Sequence, residues 1–263
     1  MFGIHRAKSK FIRKESKFFL RLCLFVLVLV FLAFLSITLF FLSKKIFKNR
    51  YSLSSLYDAW NKNDYQSVYD ISSEILERDY FNNAARTFYG YSAFFLAESQ
   101  TDNNLTQDYL KDSIKSLRIA LLYAKDELKP QIEYMLGKVY FYKGKSSNYH
   151  YYADLVIKYL LLAVNAGYKA DDIAEYLGLS YASLGETQKS IEYFGQALMT
   201  RESDSLLISI AEQYYKIGNL SNAKAYFFRV CELTKNEDLT NKCHNFLGQI
   251  YIEEGDYEGA QKN

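Results

Sequence analysis

A nine-residue pattern that recurs four times along the chain constrains its fold more than any other feature. The copies begin at Leu136, Leu177, Ile210 and Leu247 and read LGKVYFYKG, LGLSYASLG, IAEQYYKIG and LGQIYIEEG. Their starts are 41, 33 and 37 residues apart, and self-similarity at a period of roughly 20–50 residues is typical of stacked repeats. The sequence therefore predicts a repeat protein.

Each copy predicts a helix with a glycine or alanine in its second place and a tyrosine three residues later. Glycine inside a helix costs about 0.5–1 kcal/mol relative to alanine. Because three copies carry it, at Gly137, Gly178 and Gly248, we expect the backbones of two helices to approach closely at these points. Each copy also ends in a glycine, which adopts a positive φ at little cost and predicts the end of the helix.

Small and aromatic residues recur in the segment that follows each copy. After the second copy, Ser190, Phe194 and Ala197 share one helical face by their three-and-four spacing. Ala223 and Phe227 hold the same places after the third copy. The pattern predicts an antiparallel pair of helices in close contact.

This pattern resembles the tetratricopeptide repeat family, whose unit of about 34 residues is a pair of antiparallel helices with the signature W-x2-L-G-x2-Y…A-x3-F. Ser190 stands for the usual alanine, and the signature tryptophan is absent from each copy. The resemblance implies an all-α, right-handed superhelical solenoid of antiparallel helix pairs. The repeat-signature positions are Gly90, Leu136, Gly137, Tyr140, Gly144, Leu177, Gly178, Tyr181, Gly185, Phe194, Ala197, Tyr214, Gly218, Ala223, Phe227, Leu247, Gly248, Tyr251, Gly255 and Ala260.

The same frame divides the chain into repeat units. In the first unit, residues 55–76 predict a helix, an Asn-Asp turn and a second helix. In the third unit, seven extra residues lie between Gly144 and Leu160, so we expect longer helices or an added loop. The last unit leaves an apolar edge, which is explained either by a longer parent chain or by another protein or a second copy that covers it. The units lie near 49–82, 83–129, 130–170, 171–203, 204–240 and, in part, 241–263.

Residues 22–43 form an apolar run of 22 residues without a charge. As a helix the run would span roughly 33 Å, close to the ~30 Å thickness of a bilayer's hydrocarbon core. We therefore expect a transmembrane helix that precedes the solenoid. A cleaved signal peptide is the alternative, although the run is longer than the usual core of about 7–15 residues and lacks a small-x-small cleavage site.

The basic residues that flank this run predict its orientation. Residues 1–21 carry seven Lys and Arg, and residues 44–63 carry five. This bias favours a basic cytoplasmic tail at 1–21, a juxtamembrane segment at 44–50 and a repeat domain at 51–263 outside the cytoplasm. A single proline and many Tyr, Lys and Asn indicate a bacterial gene, so we expect an inner-membrane protein with a periplasmic repeat domain.

The charges and the reactive residues exclude several classes of function. Residues 51–263 hold 21 Lys and Arg against 29 Asp and Glu, a net charge of −8, which disfavours binding to nucleic acid. The histidines are isolated, and the chain has no HExxH motif, no Cys-x2-Cys motif and no glycine-rich phosphate loop. We therefore predict no enzymatic activity, no metal and no cofactor.

Two smaller sets of residues are given structural interpretations. Cys231 and Cys243 fit no disulfide framework and are interpreted as free, mostly buried thiols, with a disulfide as the alternative. Asp171 and Asp172 are interpreted as solvated residues at the start of a helix.

The resemblance also implies where a partner would bind, because in the family the first helix of each unit lines a concave groove. The predicted partner is a protein or peptide, and self-association of the chain is the alternative. Phe94, Phe95, Phe141 and Tyr142 suit a core role equally well. The carboxylate clamp of the chaperone-adaptor branch is not matched, since its places hold Tyr134, Lys138, Glu175, Leu179, Ile208 and Glu212. The candidate groove residues are Tyr91, Phe94, Phe95, Tyr134, Lys138, Phe141, Tyr142, Tyr215 and Lys216.

Overall fold

The computed structural model describes residues 24–40, 42, 51–147 and 152–262, which contain α-helices and no strand. The chain divides into two compact units, residues 1–58 and 59–263, and each is described by itself. The predicted basic tail and juxtamembrane segment lie outside the described residues.

In the first compact unit, residues 24–40 are helical and their side chains are exposed. Residues 22, 23, 41 and 43 of the predicted membrane span lie outside the described residues. Within the part of the chain that the structure covers, no helix combines the length and the apolar character needed to cross a bilayer.

The second compact unit is a succession of helices joined by short turns, and the border between the two units falls within the first of these helices. Each helix packs mainly on its neighbours in sequence, and the tightest pairs are α3 with α4, α5 with α6, α7 with α8 and α9 with α10. The helices are α1 (Leu53–Asn61), α2 (Tyr65–Arg78), α3 (Asn83–Ser99), α4 (Asn103–Tyr123), α5 (Lys129–Ser147), α6 (Ala153–Asn165), α7 (Ile173–Ser183), α8 (Thr187–Leu198), α9 (Asp204–Lys216), α10 (Leu220–Leu233), α11 (Glu237–Glu253) and α12 (Tyr257–Lys262).

The inner glycines lie where the paired helices come closest. A Cβ atom added to Gly178 would lie 2.4 Å from the Phe194 ring, and one added to Gly137 would lie 2.5 Å from the Leu160 side chain. A Cβ atom added to Gly90 would likewise lie 2.5 Å from the Leu117 side chain. The predicted close approach is confirmed at these three glycines, because no side chain fits there without displacing its neighbour. The prediction is wrong for Gly248, where an added Cβ would meet nothing within 4 Å, because the six-residue α12 that follows buries none of its residues.

The serine that replaces the usual alanine has a structural role at this contact. The hydroxyl of Ser190 donates a hydrogen bond of 2.8 Å to the carbonyl oxygen of Gly178. Ser113 donates a bond of 2.7 Å to Gly90 in the same way. Both hydroxyls are buried, and each satisfies its hydrogen-bonding potential on the glycine that faces it.

The tyrosine of the repeated pattern packs against the second helix of its own pair. Rings stack nearly parallel, with centroids 5.4–5.6 Å apart, in three successive pairs of helices. This contact explains why the tyrosine recurs at a fixed distance from the inner glycine. The stacked pairs are Tyr140 with Tyr159, Tyr181 with Tyr193, and Tyr214 with Tyr226.

The terminal glycines end their helices in three of the four copies. Gly185, Gly218 and Gly255 have φ values of 76°, 72° and 78°, as a turn after a helix requires. The prediction is wrong for Gly144, which lies inside α5, three residues before that helix ends. The seven extra residues of this unit account for the difference, because they let the first helix continue before the chain turns back.

Candidate partner-binding face

The structure separates the nine predicted groove residues into groups and places two of them in the core. Tyr91 is 5% exposed and Phe94 is fully buried. A partner could not reach either side chain without opening the packing of α3, so the groove assignment of these two residues is wrong. They occupy an aromatic stripe that packs between helices, as such stripes usually do.

Phe95 belongs to an aromatic cluster formed by α1, α2 and α3. Its ring stacks on Tyr65 with centroids 4.4 Å apart and lies 6.0 Å from Trp60. Trp60 also contacts the rings of Phe88, at 5.0 Å, and Tyr91. Trp60 was not predicted as part of a site, because it does not lie at the place of the signature tryptophan in any of the repeated copies.

The central group of groove residues surrounds an ion pair between α5 and the start of α7. The ammonium of Lys138 lies 3.2 Å from the carboxylate of Asp172, and the two side chains are 17% and 25% exposed. The Tyr134 hydroxyl lies within hydrogen-bonding distance of both oxygens of the same carboxylate, at 2.8 and 2.9 Å. Lys138 also lies 5.6 Å from the ring centroids of Phe94, Tyr134 and Tyr176, a range in which a cation is attracted to an aromatic face.

Asp172 is therefore not the solvated helix start that its sequence context suggested. It occupies the N-cap position of α7, yet its side chain makes no capping hydrogen bond. The carboxylate instead binds Tyr134 and Lys138 on the preceding pair of helices. This functional candidate was missed because an aspartate before a helix carries the same local signal whether it caps that helix or bonds elsewhere.

Two further aromatic residues extend this group along α5. Phe141 packs on Tyr176 with ring centroids 4.7 Å apart, and Tyr142 meets the edge of the Phe94 ring at 5.3 Å. The hydroxyl of Tyr142 interacts electrostatically with Glu98 and Tyr176. Phe141 and Tyr142 are both half-buried, so each has a packed side and an accessible side.

The accessible set of this group forms one surface on the first helices of two successive repeat units. We call it the aromatic face. Five of its six members are aromatic or cationic, and the sixth is the carboxylate that holds them together. The aromatic face consists of Tyr134, Lys138, Phe141, Tyr142, Asp172 and Tyr176.

Burial keeps the tyrosines of this face neutral. It raises the pKa of Tyr134 above its usual range, and the hydrogen bond to Asp172 raises it further. Burial is also the main cause that raises the pKa of Tyr176 and of Tyr142. At neutral pH these hydroxyls are hydrogen-bond donors rather than bases, so the face can hold polar groups of a ligand but offers no general base among these tyrosines.

The remaining groove residues lie on α9 and form a separate group. Tyr215 meets the edge of the Phe246 ring at 5.4 Å, and its hydroxyl donates to the carboxylate of Glu253. Lys216 is exposed. These contacts belong to a different apolar cluster from the aromatic face. Contact of either group with a partner stays a prediction.

No group of three or more His, Cys, Asp or Glu within the described ranges is arranged to hold a metal ion. Cys231 and Cys243 are free thiols, and each affects the pKa of the other. Burial raises the pKa of the Cys243 thiol to about 12, so this thiol is protonated and unreactive at neutral pH.

The stacked pairs of antiparallel helices define a helical repeat protein. The family model described as tetratricopeptide repeat matches residues 177–204, which are the unit with the fullest signature. The chain therefore carries a tetratricopeptide repeat, and the predicted resemblance is confirmed.

Solved structures show the same fold. MamA superposes with a TM-score of 0.51 at 20% identity, over 66% of this chain and 91% of MamA. YrrB, described as a TPR protein with an unusual peptide-binding site, superposes with a TM-score of 0.55 at 17% identity, over 73% of this chain and 87% of YrrB.

One curated relative is similar over a shorter stretch. The Sol locus transcriptional repressor of Clostridium acetobutylicum is 33% identical over 88 residues, which make up 33% of this chain and 27% of the repressor. The chain thus spans about a quarter of that relative's length.

Proposed function

We propose that this protein is a non-enzymatic scaffold that holds a segment of another protein against the aromatic face. One observation carries the proposal: consecutive first helices present half-buried aromatic rings around a partly exposed Lys138–Asp172 ion pair. Aromatic side chains are favoured anchors of interfaces, because they combine a large apolar area with a polar edge. The peptide-binding site described for YrrB supports this use of the fold.

The chemistry of the face indicates what it recognises. Phe141 and the ring of Tyr142 offer apolar area, whereas the ammonium of Lys138 has three N–H donors and can bind a partner in addition to Asp172. A segment that brings an apolar side chain together with a carboxylate or a backbone carbonyl would match both features. The clostridial relative's role as a transcriptional repressor is not part of the proposal, because residues 51–263 have a net charge of −8, which disfavours binding to DNA.

Site-specific photo-crosslinking in cells tests this proposal. A photoreactive phenylalanine analogue at Tyr142 should give a discrete crosslinked product, whereas the same analogue at the exposed Glu192 on α8 should not. Replacing Tyr134 by alanine in the Tyr142 crosslinking protein should reduce the product. Equal crosslinked products from both positions would count against binding of a partner at the aromatic face. So would a product that Tyr134→Ala leaves unchanged in a protein with an unchanged circular dichroism spectrum.

We further propose that residues 22–43 anchor the scaffold in a bacterial inner membrane, with the repeat domain in the periplasm. The uncharged run of 22 residues and the excess of basic residues before it support this arrangement. Envelope assembly, secretion and assistance in folding are compatible with it. A phosphatase fused after Asn263 should be active if the domain is periplasmic. A fused reporter that works only in the cytoplasm would overturn the orientation.

A second candidate function is self-association through the last pair of helices. Ile252 is 55% exposed and Tyr257 is 69% exposed, so apolar side chains stand uncovered on α11 and α12. Sedimentation velocity of the detergent-solubilised protein tests this candidate. A monomer at all micromolar concentrations would exclude it, and a dimer that Ile252→Asn dissociates would support it.

A further inference from the structure

A cleft distinct from the aromatic face is lined by α4, α5 and α6. Its volume is about 810 Å³, within the range of about 300–1,000 Å³ that is usual for small-molecule sites. It shares no side chain with the aromatic face. Nothing in the proposed scaffold function uses this cleft.

The cleft concentrates positive charge in an acidic domain. Lys111, Lys115, Arg118 and Lys143 line it, and among the residues that the structure describes no Asp or Glu does so. None of these four cations forms an ion pair, with a nitrogen–oxygen distance of 4.0 Å or less, with another described residue. Four cations thus face one volume whose described lining residues include no counter-charge, although residues 51–263 have a net charge of −8. Such a site attracts an anion.

The environment of Lys143 also favours an anionic ligand. Burial is the main cause that lowers the pKa of its ammonium; the charge of Asp108 opposes this, and the charge of Lys111, a smaller effect, lowers the pKa further. The ammonium donates to the side chain of Gln107, which is uncharged. A negative ligand in the cleft would relieve both the repulsion from Lys111 and the loss of hydration.

The rest of the lining is apolar or aromatic. Leu121 and Leu122 follow Arg118 on α4 by one helical turn, and Leu155 and Tyr159 line the cleft from α6. Leu122 is 77% exposed. The cleft therefore offers an aliphatic surface next to its cations, and a free phosphate or sulfate ion would leave that surface uncovered.

We propose that this cleft binds an anionic phospholipid. The phosphate lies among Lys111, Lys115 and Arg118, and the first part of an acyl chain lies along Leu121 and Leu122. Clustered lysines and arginines are the groups that bind acidic lipid headgroups. A peptide is disfavoured as the occupant, because its backbone N–H groups would need acceptors and, among the described lining side chains, only tyrosine hydroxyls are polar acceptors.

Native mass spectrometry of the full chain in a non-ionic detergent tests the assignment. Phosphatidylglycerol and phosphatidylcholine with the same acyl chains are added separately, and bound lipids are counted. The matched variants are Lys111→Gln/Lys115→Gln and Lys169→Gln/Lys235→Gln, which remove equal charge from the cleft and from exposed positions outside it. Lipid held by residues 1–50 contributes equally to both variants, so their difference reports the cleft.

We expect the cleft variant to bind phosphatidylglycerol about tenfold more weakly than the wild type and the control variant to be unchanged. Leu122→Asn should also weaken it, without loss of stability, because this side chain is exposed. Equal binding by the two double variants would overturn the proposal. So would binding of glycerol 3-phosphate as tight as that of the lipid and insensitive to Leu122→Asn, which would indicate a free anion. Binding of a decaglutamate peptide in place of phosphatidylglycerol would indicate an acidic protein segment and would also overturn it.

Discussion

The pair α7/α8 and the pair α11/α12 carry the same sequence pattern but differ in how it is buried. In the first pair, a Cβ atom added to Gly178 would lie 2.4 Å from the Phe194 ring. In the second pair, a Cβ atom added to Gly248 would have no neighbouring atom within 4 Å, and α12 has no buried residue. The same local sequence thus forms a tight contact only where a facing side chain is present. The helical conformation of the motif thus depends on its own residues, whereas its tight packing depends on a side chain from the partner helix.

The largest difference between the well-buried pairs and the last pair should appear in alkali. Four tyrosines with strongly raised pKa values lie on α2–α7, and desolvation by partial or full burial is the main cause for each. They are Tyr69, Tyr91, Tyr134 and Tyr176. The folded state prefers the neutral form of these side chains. Their contribution to stability is therefore complete below the ordinary tyrosine pKa of about 10 and is lost as the pH rises above it.

We expect α2–α7 to unfold cooperatively in alkali. Absorbance at 295 nm reports tyrosinate and circular dichroism at 222 nm reports helix, so the two signals should change together for these four residues. Early ionisation of all 25 tyrosines without loss of helix would show that the interior of this region is open to solvent.

A matched pair of substitutions tests the glycine contact directly. Gly178→Ala should destabilise the protein by about 1–3 kcal/mol, because the added methyl group overpacks the contact with Phe194. Gly248→Ala should stabilise it by up to about 1 kcal/mol, because alanine is the better helix former and the site is open. Urea unfolding followed by circular dichroism measures both. The same sign for both substitutions would contradict the comparison.

The ion pair of the aromatic face should also contribute to stability. Asp172→Ala leaves Lys138 partly buried without a counter-charge and Tyr134 without its acceptor, at an expected cost of about 1–2 kcal/mol. Glu186→Ala is the control, because Glu186 is likewise an N-cap residue without a capping bond and its ion pair with Lys189 is about half exposed. That change should cost at most about 0.5 kcal/mol in urea unfolding. Equal costs would show that the Lys138–Asp172 pair is effectively solvated.

The smallest difference should appear at the terminal glycines. Gly185 and Gly255 both have a positive φ, so an alanine is strained by about 1 kcal/mol at either site. For Gly185→Ala, we expect the free energy of unfolding in urea to fall by this full amount. Gly255→Ala should cost less, because α12 is six residues long, buries no side chain and can detach without unfolding the rest. A larger cost at Gly255 would show that α12 is firmly packed.

The glycines show how far the fold could be predicted from the sequence. Gly137 and Gly178 correctly indicated close helix contacts, whereas Gly248, at the same place of the pattern, lies in an open site. Gly144 was predicted to end a helix and does not, because glycine is also tolerated inside a helix when the following residues continue it. The candidate site was less predictable. Phe94 and Phe95 are adjacent aromatic residues of the same kind, and only packing decides that the first is buried and the second half-buried.

Asp172 shows the same limit for polar residues, since its sequence context predicts a helix start in solvent and its carboxylate instead joins α7 to Tyr134 and Lys138 on α5. The sequence by itself determined the repeat, the helix pairs and the close contacts at Gly137 and Gly178, because these depend on spacing within about forty residues and on the backbone preferences of glycine. The tertiary structure alone decided which aromatic rings are accessible, which carboxylate pairs with Lys138 and which cations share a cleft. Those properties depend on side chains from different helices, whose distances are set by how successive pairs stack.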